Sequence, residues 1–525
     1  MTSNRFKPAI LPAVFGFISL LTACGGPNPA ALEVSVAPTQ NPLVAQVSVF
    51  SGCSGQVSVQ FGPDTSYGRS TSPYRISARQ TLNIEVAGMR AATTYHMQAQ
   101  RNCVAVDDTS QDLTFTTGAL PTSMPVPGLQ VSRPDPPPQP ENPGIEMITV
   151  IAPGSNLMQA LFTDRDGYPI WYYNLPPTYF PFTIKQLDNG HLLLSLTSFS
   201  QVPGSTLREV DLAGNTIHEL SINDLQAKTA AAGYDFSPSG YHHDLLPLPN
   251  GHVIVLVNCY KNVDGLPGAT GTTAVQGDAL IDLDQNWNPV WAWNSFDYLD
   301  VTRHLAAITN GTLDWTHGNA LVYSANDGNI LFSMRHQSWI VKIDYNNGAG
   351  NGNVLWRLGY QGDFQLTQAG AASDDPSLWF SFQHYPSLIS QNGPQMMLAV
   401  WDNGDYRVLN SSGAECVIPG PPGCYSRAIV LNVDESAKTA DLGWSYAPNL
   451  FSNWGGSINQ LANGNIEYDV NAPQSLAGSN IASEVQEVTQ TATPQLVWKM
   501  DITAPANAYR AYRVPSLYPN VTWQY

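Results

Sequence analysis

Five Asx-Gly turns, each followed by an apolar strand, constrain this chain more than any other feature. Asn189-Gly190, Asn250-Gly251, Asp327-Gly328, Asn392-Gly393 and Asn463-Gly464 lie 61, 77, 65 and 71 residues apart. A second series marks the other side of each unit. Trp171, Trp291, Trp356, Trp444 and Trp498 sit near the ends of strand patterns, and His218 stands where the second member belongs. Asx-Gly supplies the left-handed backbone of a tight hairpin turn, and the aromatic residue supplies bulk for packing. Paired marks of this kind describe a four-stranded sheet repeated around an axis, with insertions lengthening each unit. Five units carry both marks. A sixth, residues 147–175, has only its outer half, and the tail segment 508–514 is expected to supply its inner strand. Closing a ring from both chain ends removes exposed strand edges, which are templates for aggregation. The expectation is an all-β chain with a six-bladed β-propeller over residues 147–525.

The residues before this ring divide into four parts. Residues 1–24 carry Arg5 and Lys7, then an apolar run too short to span a bilayer comfortably, then Leu21-Thr22-Ala23-Cys24. This pattern resembles a bacterial lipoprotein signal with Cys24 as the acylated residue; an ordinary secretory signal is the alternative, and both export the mature chain. Residues 25–30 are a small-residue tether. Over 31–117 short alternating strands recur, and 89–99 resembles the fibronectin type III signature, so a small fibronectin III/Ig-like β-sandwich is expected. Residues 118–146 are proline-rich, including Arg133-Pro134-Asp135-Pro136-Pro137-Pro138, and are expected to form a semi-rigid linker.

Export makes disulfides available. Cys53 and Cys103 share the N-terminal module, and Cys416 and Cys424 flank a Pro/Gly-rich loop, so each pair is a candidate bridge. Cys259 lies in an apolar strand and is expected to be a buried free thiol. No CxxC spacing offers a zinc site. The formal charge of −18 leaves no basic surface for phosphates, which excludes nucleic acid as a partner. There is no GxxxxGK[ST] loop for a nucleotide and no GxSxG elbow. Thr163-Asp164-Arg165-Asp166-Gly167 lacks a complete calcium loop and reads as a hairpin turn.

Histidines recur at one phase of the repeat. His243, His317 and His384 precede the turn marks at Asn250, Asp327 and Asn392 by 7, 10 and 8 residues. Each is therefore expected at the start of an innermost strand, facing the central channel. Three readings of such a cluster compete: a metal site, structural packing, and nucleophilic group transfer with one imidazole attacking while others move protons.

Several spaced motifs then carry a resemblance. They are His242-His243-Asp244 with Leu248-Pro249-Asn250-Gly251, Asp314-Trp315-Thr316-His317-Gly318-Asn319 with Asp327-Gly328-Asn329, Arg335-His336-Gln337-Ser338, Gln383-His384, and Asp402-Asn403-Gly404 with Arg407. Over about 147–525 the chain resembles the bacterial arylsulfate sulfotransferases that use no nucleotide sulfate donor. The resemblance implies a six-bladed periplasmic propeller. It also implies a ping-pong transfer of a sulfuryl group from a phenolic sulfate donor to a phenol acceptor through a sulfohistidine, with no cofactor and no metal. By the same resemblance His384 is the nucleophile, and Arg335, His317, Asn319 and one of His242/His243 surround the sulfuryl group. His243 is preferred as the catalytic member, leaving Asn319, His242 and Trp315 as substrate-binding residues. The Cys416/Cys424 pair also fits a disulfide of that family. His336 is expected to face outward, because adjacent strand residues face opposite ways. The competing functions are a non-catalytic propeller lipoprotein that binds aryl or anionic ligands, and a metal-dependent propeller hydrolase. The expected membrane contact is the lipid anchor. Oligomeric state stays open, a homodimer among the options.

Overall fold

The computed structural model of the chain describes residues 31–104, 106–122, 126–152, 157–198, 204–408, 415–417, 423–473 and 479–524. The proposed signal, tether and Cys24 lie outside these residues. The architecture is all-β: strands dominate, and the longest helix among the described residues, α1 (Ile222–Ala231), has ten residues. Among the described residues no helix is long and apolar enough to cross a membrane.

Residues 32–116 form two antiparallel sheets, one of three strands and one of six. Alternation fixes their inner faces. Val47, Val49, Val57, Val59, Ile84, Val86, Tyr95 and Met97 are buried in one shared core, as period-2 patterning requires. The Cys53–Cys103 bridge closes this module.

Residues 145–514 form six further sheets, each built on four antiparallel strands. The first holds Ile145–Ile151, Met158–Thr163 and Pro169–Asn174, completed by the tail strand Asn507–Val514 pairing with Ile145–Ile151. The second begins at Phe180–Gln186, the third at Gly240–Pro247, the fourth at Gly318–Ser324, the fifth at His384–Asn392 and the sixth at Ser457–Gln460. Every Asx-Gly mark sits in the turn between the first and second strands of its sheet. The five glycines have φ between 57° and 87°, the region in which a side chain would be strained. Every member of the aromatic series, His218 included, lies in a fourth strand. First strands of consecutive sheets pack side by side, and the tail strand packs against the sixth sheet, so the sheets follow one another in a closed cycle. Apolar layers fill the spaces between neighbours, such as Leu331, Ile340, Leu398 and Ile429 between the fourth and fifth sheets.

One detail differs from a simple reading of the sequence. The proline-rich segment is more than a spacer. Its residues Leu129–Ser132 add a fifth strand to the sixth sheet, because Leu129 and Val131 alternate with polar neighbours and pack on that sheet's apolar layer. The Asp164–Gly167 turn is a hairpin whose carboxylates are taken by Arg90 and Arg133, with Arg90 2.5 Å from Asp164 and 2.8 Å from Asp166.

Candidate active site

The cyclic packing brings five first or tail strands to one cavity of about 740 Å³. At its wall the strands do not run in regular register. Pairing slips between Pro181 and Thr183, Tyr241 and Leu245, Gly318 and Ala320, and His384 and Ser387, and again where the tail strand passes Tyr509. Such bulges free one residue from the ladder and re-aim its side chain. Phe182, His242, His243 and Tyr509 are freed in this way and line the cavity, whereas His384 stays paired with Trp401 just before its slip and His317 directly precedes its strand. His243 and His317 both take the left-handed conformation, φ 48° each, at a cost of about 1–3 kcal/mol that packing must offset.

The rings form a contiguous set. Phe182 stacks on His243 with centroids 4.7 Å apart, His243 lies 4.8 Å from His317, and Tyr509 lies 5.7 Å from His243 and 6.0 Å from His384. Phe180, Tyr241 and Trp454 extend the aromatic wall. His384 is 1% exposed. Its Nδ1 is 2.7 Å from Asn403 Oδ1, and its Nε2 is 3.3 Å from the Gly455 amide nitrogen. Burial, and next the Arg335 charge, hold its pKa well below that of ordinary histidine, so the ring is neutral near pH 7. Burial followed by the charges of His317 and His242 does the same to His243.

Arg335 also lines the cavity. Its Nη2 donates to Asn453 O at 2.7 Å and Asp405 Oδ2 at 3.2 Å, and its Nη1 donates to His336 Nε2 at 2.5 Å. Its buried Nε has no partner among the described residues. Burial pushes the Asp405 carboxyl up to about 7, against the pull of Arg335. Asp314 Oδ2 is 2.6 Å from His317 Nδ1. Burial raises the Asp314 carboxyl, but His317 and His336 pull it further down, leaving it below its ordinary value.

The predicted site residues separate into two groups. His242, His243, His317, Arg335 and His384 meet at the cavity. Asn319 and Trp315 do not line it. Asn319 is fully buried behind it, donating from Nδ2 to the Gln383 carbonyl at 2.7 Å, and so braces the residue before His384. Trp315 packs with Leu266, Val275 and Leu313 and donates to Arg303 O at 2.9 Å, so it is a core residue. His336 corrects the outward expectation. Residues Arg335–Gln337 form a 3₁₀ turn, not a strand, so alternation does not apply, and His336 is buried with its ring 4.4 Å from His317. The Cys416–Cys424 bridge is formed, and Cys259 is buried and free.

Sequence reasoning missed Asp314, Asn403, Asp405 and Tyr509. Asp314 stood in view three residues before His317. Asp314, His317 and His336 offer ligand atoms within 4.8 Å of one another, a set that could hold a metal ion. The Arg335 guanidinium against His336 Nε2 opposes a second cation there.

A protein-family description, Arylsulfotransferase (ASST), matches residues 106–513. Arylsulfate sulfotransferase AssT of Escherichia coli O6:H1 is 22% identical over 305 residues, 47% of this chain and 45% of that protein. The protein of the same name from Lelliottia amnigena is 22% identical over 337 residues, 54% of this chain and 52% of that one. The chain thus spans about half the length of the curated relatives it matches. A crystal structure of a Bacteroides caccae protein of unknown function aligns with 70% of this chain and 98% of its own, at 11% identity and a TM-score of 0.39. With a family match across most of its length, following a cavity that gathers the motif histidines and arginine, this chain belongs to the arylsulfotransferase family.

Proposed function

We propose that the chain is an aryl sulfotransferase that moves a sulfuryl group from a phenolic sulfate ester to a phenol acceptor by a ping-pong mechanism through a sulfohistidine at His384. The observation that carries this reading is the meeting of imidazoles from three sheets with one half-buried guanidinium in a single aromatic-walled cavity. A neutral buried imidazole is a nucleophile. In the first half-reaction a lone pair of the His384 ring forms the N–S bond, the S–O bond to the aryl group breaks, and its electron pair leaves on the phenolate oxygen. A phenol has a pKa of about 10, so a proton delivered as that bond breaks speeds departure. His317, paired with Asp314, is suited to give it, and His243 is the second candidate. Arg335 supplies fixed positive charge to the sulfuryl oxygens without titrating. In the second half-reaction the acceptor phenol yields its proton to the same histidine and attacks sulfur, and the N–S pair returns to His384. Phe180, Phe182, Tyr241, Trp454 and Tyr509 give both aryl groups an apolar wall.

In this reading the six sheets are the blades of a β-propeller, supported by their cyclic packing, and residues 31–117 are a fibronectin III/Ig-like sandwich. The chain is exported and anchored through Cys24, supported by the lipobox pattern, on the periplasmic side or the cell surface. A second reading, metal-assisted hydrolysis, has Asp314, His317 and His336 in its favour.

The test is intact mass spectrometry of the enzyme quenched rapidly after mixing with a chromogenic aryl sulfate. A sulfuryl adduct on His384 is expected, lost together with transfer in His384→Ala. Near-normal transfer by that variant refutes the nucleophile. Loss of activity with a chelator and its return with metal installs the second reading instead.

A further inference from the structure

The two nitrogens of His384 are not equivalent, and the reason lies in Asn403. Its Nδ2 donates to Ser452 O at 2.9 Å and to Gly455 O at 3.1 Å. Both partners are backbone carbonyls, which only accept, so the amide cannot be turned over without facing its oxygen to two other oxygens. Oδ1 is therefore the atom 2.7 Å from His384 Nδ1. A carbonyl oxygen only accepts, so Nδ1 must carry the proton. In a neutral imidazole the other nitrogen, Nε2, then holds the lone pair. Asn403 is fully buried, and so is its partnership with the ring. The same amide fixes the loop carrying Gly455, whose N–H lies 3.3 Å from Nε2.

We infer that Asn403 is a positioning residue that locks His384 in the Nδ1–H tautomer and thereby makes Nε2 the nitrogen that attacks sulfur. The inference rests on the proposed group transfer for its consequence, though not for its geometry. In the transfer step the Nε2 lone pair forms the N–S bond, the aryl S–O bond breaks, its pair leaves with the phenol, and the Nδ1 proton stays on Nδ1 against Asn403. The adduct is then an Nε2-sulfo imidazolium. An amide cannot remove the Nδ1 proton, so the ring keeps its positive charge and stays a good leaving group toward the acceptor. The Gly455 N–H, which faces Nε2 at rest, is left beside the new sulfuryl oxygens.

Long-range proton–nitrogen correlation spectra of the full-length protein, labelled with ¹⁵N-histidine, read the tautomer directly, with His384 assigned by difference from His384→Ala. A resting Nδ1–H signal is expected, and an Nε2–H signal overturns the inference whatever the variants do. The position of the sulfuryl group on quenched enzyme should be Nε2, and an Nδ1 adduct overturns it too. Asn403→Ala removes the acceptor and should slow adduct formation by roughly 10²–10⁴-fold, the scale on which a wrong histidine tautomer acts elsewhere. Asn403→Asp keeps an acceptor at Nδ1 but adds charge. It should preserve the tautomer while moving the acid limb of adduct formation upward by about one pH unit or more, because a carboxylate favours the protonated ring. Wild-type rates in both variants overturn the assignment. If wild-type enzyme forms no adduct while the Nδ1–H tautomer is observed, the group-transfer reading fails and the tautomer assignment stands.

Discussion

At the scale of single residues, the proposed transfer leans on groups that stand behind the histidines. Asp314 is the clearest case outside the nucleophile. Its Oδ2 accepts from His317 Nδ1, which aims the opposite nitrogen away from the carboxylate and, in the proposed transfer, toward the leaving phenol. Asp314→Asn keeps the shape and an accepting oxygen but removes the charge. It should slow transfer about 10²-fold for donors whose phenol is strongly basic, and much less for a nitrophenyl donor whose phenolate leaves unaided. Steady-state rates across a series of substituted phenyl sulfates check this, and a uniform loss would assign Asp314 to structure. The histidines themselves were legible in the sequence because they recur at one phase of a repeat. Asp314 was visible but unread, since its approach to His317 depends on the left-handed turn at that residue, which spacing does not reveal. Trp315 and Asn319 fall outside the cavity lining for a related reason. Membership of a motif does not say which face a side chain takes, and the bulge at Gly318 turns Asn319 behind the cavity.

At the scale of elements, the site is made where strands break their register. Regular pairing would alternate side chains between the faces of each sheet, and no strand could then offer His242 and His243 together. The slip between Tyr241 and Leu245 permits it. The turn and aromatic marks predicted strand order well because both obey local rules: Asx-Gly needs a left-handed turn, and an apolar ring needs a layer to enter. The bulges obey no local rule and could not be read. The tail strand Asn507–Val514 lies between the two cases. It completes the first sheet, contributes Tyr509 to the cavity wall, and places Arg510 against Asp244 at 3.1 Å beneath it. Ending the chain after Asp501 would leave Ile145–Ile151 as an unpaired edge and Asp244 with Lys185 as its remaining buried cation. The truncated protein is expected to be insoluble or to lack the near-ultraviolet circular dichroism of a packed core. A soluble, active truncation would show that the strand is dispensable.

At the scale of the whole molecule, the question is what holds the first sheet to the last, besides the two chain segments, before Ile145–Ile151 and before Asn507–Val514, that cross that seam. Apolar packing contributes, and so does a buried ionic group centred on Arg513. Its guanidinium reaches Glu146 of the first sheet at 2.5 Å and, in the sixth sheet, Glu487 at 2.6 Å and Glu467 at 3.1 Å. Arg165 joins the same carboxylates, 3.4 Å from Glu487. Beyond the tail strand the chain returns to the N-terminal sheets, where Tyr518 donates to Glu85 O at 2.8 Å and Trp523 to Ser70 O at 2.9 Å, so the segment after the tail strand is tied to those sheets. Burial pushes Glu467 well above the ordinary carboxyl range, with Glu146 adding to it, whereas for Glu487 burial also pushes upward but the Arg513 charge and the hydrogen bonds from Arg513, Asn465 and the Asn142 amide together hold it low. Three carboxyls around one guanidinium make Arg513 the member whose loss leaves the most uncompensated charge. Arg513→Met keeps much of the apolar stem and removes the charge, and should cost about 3–5 kcal/mol, the usual penalty for stranding buried partners. The deficit should depend on pH. Without the guanidinium the carboxyls keep their protons to higher pH in the folded state than in the unfolded chain, where glutamate titrates near about 4.3. A folded-state pKa raised in this way removes stability as pH climbs through it, so the variant should fall further behind at pH 8 than at pH 5. Urea unfolding of both proteins at the two pH values measures this. A deficit below about 1 kcal/mol, in the range of an exposed ion pair, or one equal at both pH values, would show that the seam does not depend on this ionic group.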